Sequence, residues 1–318
     1  MDITRRSLLG VFPAILLSVV AATCGGEAVR PNASTSLAPA ATAAAAAAAF
    51  PVTVVDFQGK SVVVPKRPER IVSIGPSNTE FLFALGAGDR VVAVDDFSDT
   101  PAEAMKKEKV GGVKVNVEKV VSLQADLVVS LRISDGSLER IAAQNIPVVV
   151  IEPRGIGDAA RSAVVLGTAI GADGAALAKK IDDGIEQVRA KAATVKKKRV
   201  FHEVDASDPG KLYTAGPGSF INDMIVLAGG INIAASTASA FPQLSVEEIV
   251  RADPEVIVLG DASYGVTVEQ VVARPGWSGI TAVRTKRVIP VDADLMHRPG
   301  PRLPQALEAY LKIVADTP

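Results

Sequence analysis

Two glutamates in a repeated segment are the residues most clearly placed for chemistry. The segment "NVEKVVSLQADLVV" starts at Asn116, and a similar one, "SVEEIVRADPEVIV", starts at Ser245, 129 residues later. Glu118 and Glu247 occupy the same place in the two copies, and each follows a helix-capping residue type by two positions. Each glutamate is therefore predicted in the first turn of a helix.

The chemistry available to this pair is electrostatic. An acid in the first turn of a helix is stabilised by the helix dipole by about 0.3–1 kcal/mol, which alone could explain both residues. In the second copy, however, Ser245 and Glu248 already form the pattern of a capping box, so Glu247 has no local duty. Matching surplus acids instead suggest a two-point contact with a partner, because exposed charges steer and orient association.

The segments around the two glutamates predict alternating strands and helices. The strands "ADLVVSL" and "IPVVVIE" are continuous apolar runs, which are typical of parallel sheets covered on both faces. A second alternation of strands and helices starts at "KRVFHEVD" and continues through "EVIVLG" and "RVIPVD". A hairpin around Gly59 precedes them. We expect Ser77 and Glu80 to form a capping box, Ser219 to cap a later helix, and Pro304 to lie in the first turn of the last one.

A long helix separates the two groups of strands. Apolar residues recur at helical spacing between Leu177 and Val195, and Asp173 is a plausible cap, which predicts a helix over about 173–195. At 1.5 Å per residue it would be roughly 34 Å long. The predicted organisation is an α/β lobe at 51–170, a bridging helix at 171–197 and a second α/β lobe at 198–318.

The amino terminus reads as an export signal. Residues 1–24 contain paired arginines and a short apolar run, as in a signal peptide of either the twin-arginine or the general route. Cys24 is the only cysteine and lies where a lipoprotein would be cleaved and acylated, or is discarded with the leader. The alanine-rich residues 25–50 are predicted to be a tether, and the protein is expected outside the cytoplasm.

Composition and motifs exclude several classes of protein. A net charge of −1 and 4% aromatic residues disfavour a nucleic-acid partner. No phosphate loop, Rossmann fingerprint or nucleophile elbow is present, so we expect neither an enzyme nor a cofactor. The only histidines are His202 and His297, and His202 lies in a predicted strand, so a metal site is not expected. We also expect a monomer.

Several motifs together resemble a known family. They are "PERIVSIGPSNTEFLFALGAGDRVVAV", "NVEKVVSLQADLVV", "GPGSFINDMIVLAGG", "QLSVEEIVRADPEVIVL" and "RPGPRLPQALE". In this order they resemble the helical-backbone solute-binding proteins of ABC importers for cobalamin, ferric siderophores and haem. The resemblance implies the class III periplasmic-binding-protein fold, two α/β lobes with parallel-type sheets bridged by one long helix. It also implies a ligand in a cleft that hinges little, and docking of Glu118 and Glu247 onto a permease dimer with its ATPase subunits.

The cleft of such a fold is lined by loops that follow the strands. The ligand-binding candidates in those loops are Ser77, Asn78, Phe97, Gly112, Arg132, Tyr213, Phe241, Tyr264, His297 and Arg298.

The ligand itself stays open among three types. "DDFSDTPAEA" and "FPQLS" are most similar to cobalamin binders, with Phe241 matching an aromatic residue that packs on the corrin, whereas Gly112 stands where those proteins have another aromatic residue. Arg132, Arg154 and Arg298 could hold an anionic ferric siderophore. Haem ranks third and would require Tyr213, Tyr264 or His297 as a ligand to iron. A tethered sensor or carrier without a transport role is the alternative function.

Overall fold

The computed structural model describes residues 49–315. The signal peptide, Cys24 and almost all of the predicted tether lie outside these residues, and so do the last three residues. The described chain opens with an antiparallel hairpin of β1 (Val52–Val55) and β2 (Ser61–Val64). Gly59 forms its turn with φ +79°, a backbone conformation that glycine adopts without strain, as predicted.

The first sheet has five parallel strands. They are β3 (Ile71–Ile74), β4 (Val91–Val94), β5 (Glu108–Lys109), β6 (Leu127–Ser130) and β7 (Val148–Val150). Their order is β5-β4-β3-β6-β7. The helices around it are α1 (Pro76–Ala84), α2 (Val117–Ser122), α3 (Ser137–Ala142) and α4 (Asp158–Ile170).

The start of α1 differs from the sequence prediction. The helix follows Gly75, which has φ +110°, and no side chain caps it, so the expected capping box of Ser77 and Glu80 is wrong. Pro76 occupies the first helical position, where its missing N–H costs nothing. The carboxylate of Glu80 is engaged by Arg302, which lies 222 residues away in the chain and could not be inferred from local sequence.

A long helix, α5 (Gly174–Ala192), follows the first sheet. The side chain of Asp173 accepts a hydrogen bond from the Ala176 N–H at 2.9 Å, which confirms the predicted cap. The helix has 19 residues and is about 28 Å long, slightly shorter than the predicted span of 173–195.

The second sheet is mixed. Its strands are β8 (Lys198–Asp205), β9 (Lys211–Thr214), β10 (Gly230–Asn232), β11 (Gln243–Ser245), β12 (Val256–Leu259) and β13 (Val288–Pro290). The order is β11-β9-β8-β12-β13, and β10 also pairs with β8. Strands β8, β10, β12 and β13 pair in parallel, whereas β9 runs antiparallel to both of its neighbours, β8 and β11. The joint between β8 and β9 is too short for a crossover, which forces antiparallel pairing.

The remaining helices cover this second sheet. They are α6 (Phe220–Leu227), α7 (Val246–Ala252), α8 (Val268–Val272), α9 (Thr281–Arg284), α10 (Ala293–Met296) and α11 (Leu303–Ala315). Ser219 caps α6, Ser245 and Glu248 form the predicted capping box of α7, and Pro304 lies in the first turn of α11. One apolar core joins the facing sides of both sheets with α4, α5, α6 and α11, and two smaller cores fill their outer sides.

The repeated sequence segment is also a structural repeat. Each copy forms a short helix that leads into a central strand, α2 into β6 and α7 into β12. The acid before each strand accepts a hydrogen bond from the backbone N–H of an arginine, Asp126 from Arg70 at 2.8 Å and Glu255 from Arg199 at 3.0 Å. The two lobes are thus built around one repeated helix and strand unit.

Candidate functional site

The two repeated glutamates project from equivalent places. Glu118 and Glu247 are the second residues of α2 and α7, and both are exposed. The caps of these helices, Asn116 and Ser245, accept hydrogen bonds from the backbone N–H groups. Among residues 49–315, neither glutamate carboxylate makes an ion pair or a hydrogen bond. Both acids are therefore free to meet cations of a partner.

Four of the predicted ligand-binding residues are exposed aromatic side chains. Phe97 follows β4, Tyr213 lies in β9, Phe241 precedes β11 and Tyr264 follows β12. Their exposed fractions are 55%, 38%, 47% and 77%, and they are the aromatic residues among the exposed large hydrophobic side chains of the described chain. Singly exposed apolar side chains are common on protein surfaces, and these four are available for contact with a ligand.

Phe97 and Gly112 lie together. A Cβ built on Gly112 would approach the Phe97 ring to 3.0 Å, so the ring rests directly on this glycine. Gly112 itself offers no aromatic surface. The ring of Phe97 fills the adjoining space instead.

Ser77 and Asn78 are placed differently from the aromatic residues. Ser77 is 6% exposed and Asn78 is fully buried. The Asn78 amide donates a hydrogen bond to the Ile74 carbonyl at 3.1 Å, which ties α1 to the end of β3. In this conformation both side chains are covered from a ligand.

Arg132 lines a small polar cavity at the edge of the first sheet. The cavity has a volume of about 350 Å³, and Arg154 and Arg161 also line it. Arg154 pairs with Glu152 at 3.2 Å, and the Arg161 guanidinium lies 4.1 Å from the centroid of the Phe57 ring. The carboxylates of Glu152 and Asp158 line the same cavity, so its three guanidinium groups exceed its acids by one and it can receive an anionic group beside the existing ion pair.

His297 is held inside the second lobe. Its Nε2 lies 3.0 Å from Nε2 of His202, whose Nδ1 lies 2.9 Å from the hydroxyl of Tyr310. A side chain at Gly260 would overlap both imidazoles. Burial lowers the pKa of His297 to about 4 and, together with the nearby His297, lowers the pKa of His202 well below its usual value. Both rings are neutral at pH 7.

Arg298 belongs to an ion-pair network that joins the two lobes. Its guanidinium lies 2.6 Å from Asp99, 2.6 Å from Asp294 and 3.7 Å from Glu80. Arg302 makes two hydrogen bonds of 2.7 Å to the same Glu80. The sequence motif "RPGPR" contains both arginines, but nothing in the sequence indicated that α1 supplies their acceptor. An anionic ligand would reach Arg298 only by exchange with these carboxylates.

Comparison with known proteins places the chain in a family. A model of the periplasmic binding protein family matches residues 71–295. The chain belongs to the periplasmic binding protein family. It is 37% identical to the uncharacterised ABC transporter substrate-binding lipoprotein YvrC of Bacillus subtilis, over 97% of this chain and 98% of that protein. It is also 32% identical to the cobalamin-binding protein of Halobacterium salinarum, over 81% of this chain and 72% of that protein.

Solved structures support the same assignment. The vitamin B12-binding protein of Vibrio cholerae matches with a TM-score of 0.66 and 25% identity, over 79% of this chain and 99% of that one. The haem-binding protein of Roseiflexus sp. RS-1 matches with a TM-score of 0.71 and 28% identity, over 78% and 98%. These relatives are binding proteins, which confirms the interpretation of the chain as a binding protein rather than an enzyme, and the predicted two-lobed fold is confirmed as well.

Three larger cavities of this periplasmic binding protein lie where helices of its lobes meet. One, of about 540 Å³, has Glu80, Phe83, Lys107 and Arg302 in its wall. A second, of about 830 Å³, lies between α5 and the start of α11. A third, of about 880 Å³, lies along α5 between the start of α4 and α6. None of these three is lined by the exposed aromatic residues. Across residues 49–315, no three His, Cys, Asp or Glu side chains are placed to share a metal ion, and no helix meets the length and hydropathy of a membrane span.

Two buried acids, Glu203 and Asp261, lie side by side in the second lobe. Glu203 is fully buried and receives hydrogen bonds of 2.5 and 2.7 Å from Arg274. Beside it, Asp261 is 4% exposed, and neither of its carboxylate oxygens has a hydrogen-bond partner in the described chain. Burial, followed by repulsion from Glu203, raises the pKa of Asp261 to about 7. A protonated Asp261 could donate to Glu203, which would satisfy both acids.

Proposed function

We propose that this chain is the extracytoplasmic substrate-binding lipoprotein of an ABC importer and that it captures cobalamin or another corrinoid. Two kinds of relative support the ligand class, the cobalamin-binding protein of Halobacterium salinarum and the vitamin B12-binding protein of Vibrio cholerae. The observation that carries the proposal within the molecule is the set of four exposed aromatic side chains, with Phe97 on the first lobe and Tyr213, Phe241 and Tyr264 on the second.

Aromatic faces suit a corrinoid because its ring is broad and largely apolar. Covering such a ring removes apolar surface from water at about 25 cal/mol per Å². Phe97 and Phe241 lie on different lobes, so a ligand held between them would bury both rings. A broad ligand can thus be held without any metal ligand from the protein.

Calorimetric titration of the purified chain tests this proposal. We expect one-to-one binding of cyanocobalamin and at least about tenfold weaker binding by Phe241→Ala, since losing a buried aromatic contact costs more than 1.4 kcal/mol. Phe83→Ala lies away from the aromatic set and serves as the matched control. Saturable wild-type binding with no effect of Phe241→Ala would remove this residue from the site, and absence of binding would reject the corrinoid.

The docking role of the two glutamates forms part of the proposal. Glu118 and Glu247 are exposed and unpaired at equivalent helix starts, as a two-point contact with cationic pockets of a permease dimer requires. The double variant Glu118→Ala/Glu247→Ala should abolish uptake and leave ligand affinity unchanged. Glu139→Ala/Glu269→Ala removes two other exposed first-turn acids and should leave uptake intact. Normal uptake in the first double variant would favour a tethered sensor or carrier.

Membrane anchoring through Cys24 completes the proposed function. The lipoprotein of Bacillus subtilis, similar over 97% of this chain, supports an acylated cysteine at this place. We expect Cys24→Ser to release the protein from the membrane fraction. An unchanged distribution of this variant would show that another segment holds the protein.

A ferric siderophore is the second candidate ligand. The cavity shared by Arg132, Arg154 and Arg161 favours it, since anionic iron chelates are held by such groups. In the same titration, a ferric hydroxamate that saturates the chain where cyanocobalamin fails would select this candidate. Arg132→Ala should then weaken binding, whereas Arg284→Ala on α9 should not.

Haem has less support from the geometry. His297 directs its Nε2 at His202, so this nitrogen is not available to iron in this conformation. Tyr213 and Tyr264 are exposed and stay available as ligands. Binding of haem with a spectrum that changes in Tyr264→Phe would favour this third candidate.

A further inference from the structure

The segment that contains the motif "RPGPR" makes contacts with both lobes. Residues 297–302, here called the clamp segment, connect α10 to α11 of the second lobe. At its start, His297 enters the second lobe and meets His202 at 3.0 Å. The following arginines point the other way, towards α1 and the loop after β4 of the first lobe.

Glu80 is the central acceptor on the first lobe. Its side chain is 3% exposed and receives two hydrogen bonds of 2.7 Å from Arg302. Arg298 reaches the same carboxylate at 3.7 Å and Asp99 at 2.6 Å, and it donates to the Phe97 carbonyl at 3.4 Å. Bidentate pairing of arginine with carboxylate fixes direction as well as distance.

The backbone of the clamp segment is shaped for this contact. A Cβ at Gly300 would lie 3.3 Å from Oε2 of Glu80, so the carboxylate packs closely against the chain there. Arg302 also donates to the Asp294 carbonyl at 3.2 Å, which holds its side chain between both lobes. An ion pair packed this closely tolerates little change in the separation of α1 from α10 and α11.

We infer that Glu80, Arg298 and Arg302 form an interlobe clamp that sets the separation of the lobes and so positions the cleft for its ligand. The clamp acts on Phe97 directly, because Arg298 holds both the carbonyl of that residue and the neighbouring Asp99. It works as a polar link between the lobes, in addition to α5 and the shared apolar core. The inference rests on the two-lobed binding mode of the proposed function and is independent of which ligand is bound.

The test measures interlobe distance and affinity separately. Spin labels at Glu139→Cys and Glu269→Cys, in a full chain carrying Cys24→Ser, report on the first and second lobes by pulsed electron resonance. Glu80→Gln should broaden or shift the distance distribution. Glu203→Gln is the matched control, because Glu203 makes the same bidentate contact to Arg274 inside one lobe. That control should leave the distribution as in the parent chain.

Affinity provides the second measurement, with cyanocobalamin as the probe. If the competent cleft falls to about a tenth of the population in Glu80→Gln, the apparent affinity falls about tenfold. Arg298→Gln removes one interlobe link and keeps the ion pair between Glu80 and Arg302. If Glu80→Gln does not fold, Arg298→Gln therefore tests the clamp in its place. It should give a smaller change in the same direction.

Outcomes for the clamp and for the ligand are distinguishable. A folded Glu80→Gln or Arg298→Gln chain with the parental distance distribution would overturn the clamp, whatever the affinity. Failure of cyanocobalamin to bind the parent chain would reject the corrinoid and leave the distance measurement to decide the clamp alone.

Discussion

Glu80 and Glu203 make the same contact in two different settings. Each carboxylate is almost fully buried, and each receives two short hydrogen bonds from one arginine. Glu80 joins α1 of the first lobe to Arg302 before α11, 222 residues away, whereas Glu203 and Arg274 belong to one lobe. The same type of ion pair therefore links the two lobes at Glu80 and two parts of a single lobe at Glu203.

The surroundings of the two arginines also differ. Arg274 has 18% of its side chain exposed and lies 4.7 Å from the centroid of the Trp277 ring. Arg302 has 29% exposed and borders a cavity that opens to solvent. After loss of Glu80, the guanidinium of Arg302 can be hydrated more easily than the guanidinium of Arg274 can be after loss of Glu203. The contribution of an ion pair to the free energy of unfolding and its contribution to the placement of the elements that it joins are therefore separate quantities.

The largest effect on stability is expected when the carboxylate of either ion pair is removed. Glu203→Ala should lower the free energy of unfolding by about 3–5 kcal/mol, because it leaves a poorly solvated guanidinium without a partner. Glu80→Ala should cost about 2–3 kcal/mol, since Arg302 reaches water. Urea unfolding of both variants at pH 7 measures the difference. An equal or greater loss for Glu80→Ala would contradict the comparison.

The clamp segment should also respond to acid through His297. Its pKa of about 4 lies below the ordinary value of 6.5, so the folded chain resists a proton that the unfolded chain accepts. The contribution of the neutral His297 ring to the free energy of unfolding is fully present above pH 6.5. It is lost as the pH falls towards 4, by an amount on the order of 3 kcal/mol. His297→Gln should flatten this part of the pH profile, measured by urea unfolding between pH 4 and 7. A profile unchanged by the substitution would show that other groups cause the loss.

Asp261, which lies beside Glu203, should make the stability of the second lobe depend on pH. Its pKa of about 7 lies above the ordinary value, so the folded chain keeps a proton that the unfolded chain releases. Its contribution is present below about pH 4 and is lost as the pH rises through 7. Asp261→Asn should raise the free energy of unfolding at pH 8 by roughly 1–3 kcal/mol, because the amide can donate to Glu203 without adding charge. Asp292→Asn, at an exposed acid, is the control, and equal stabilisation by both would refute the explanation.

The smallest effect on stability is expected at Gly112, away from both ion pairs. A methyl group there meets the Phe97 ring at 3.0 Å, and this exposed ring can shift by a few tenths of an ångström. Gly112→Ala should therefore change stability by no more than about 0.5 kcal/mol while lowering affinity for cyanocobalamin. Gly279→Ala, with nothing within 4 Å of its Cβ, is the control for affinity. An unchanged affinity of Gly112→Ala would separate Phe97 from the cleft.

Much of the architecture could be read from local pattern. The repeat predicted the units α2-β6 and α7-β12, and Asn116, Ser245, Ser219 and Asp173 all cap the helices that they precede. These predictions succeed because capping and periodicity depend on residues only a few positions apart. The sequence also selected all four exposed aromatic residues, although their use by a ligand stays a prediction.

Contacts between distant residues were decided by tertiary structure alone. Glu80 looked like half of a capping box, but it pairs with Arg302, and His297 looked like a free cleft residue, but it pairs with His202, 95 positions earlier. No local rule selects a partner so far along the chain. Short-range energies specify the repeated elements and their order, so these follow from the sequence. The partners of the buried charges follow from the packing of the two lobes, because an acid removed from water needs a partner wherever the fold provides one.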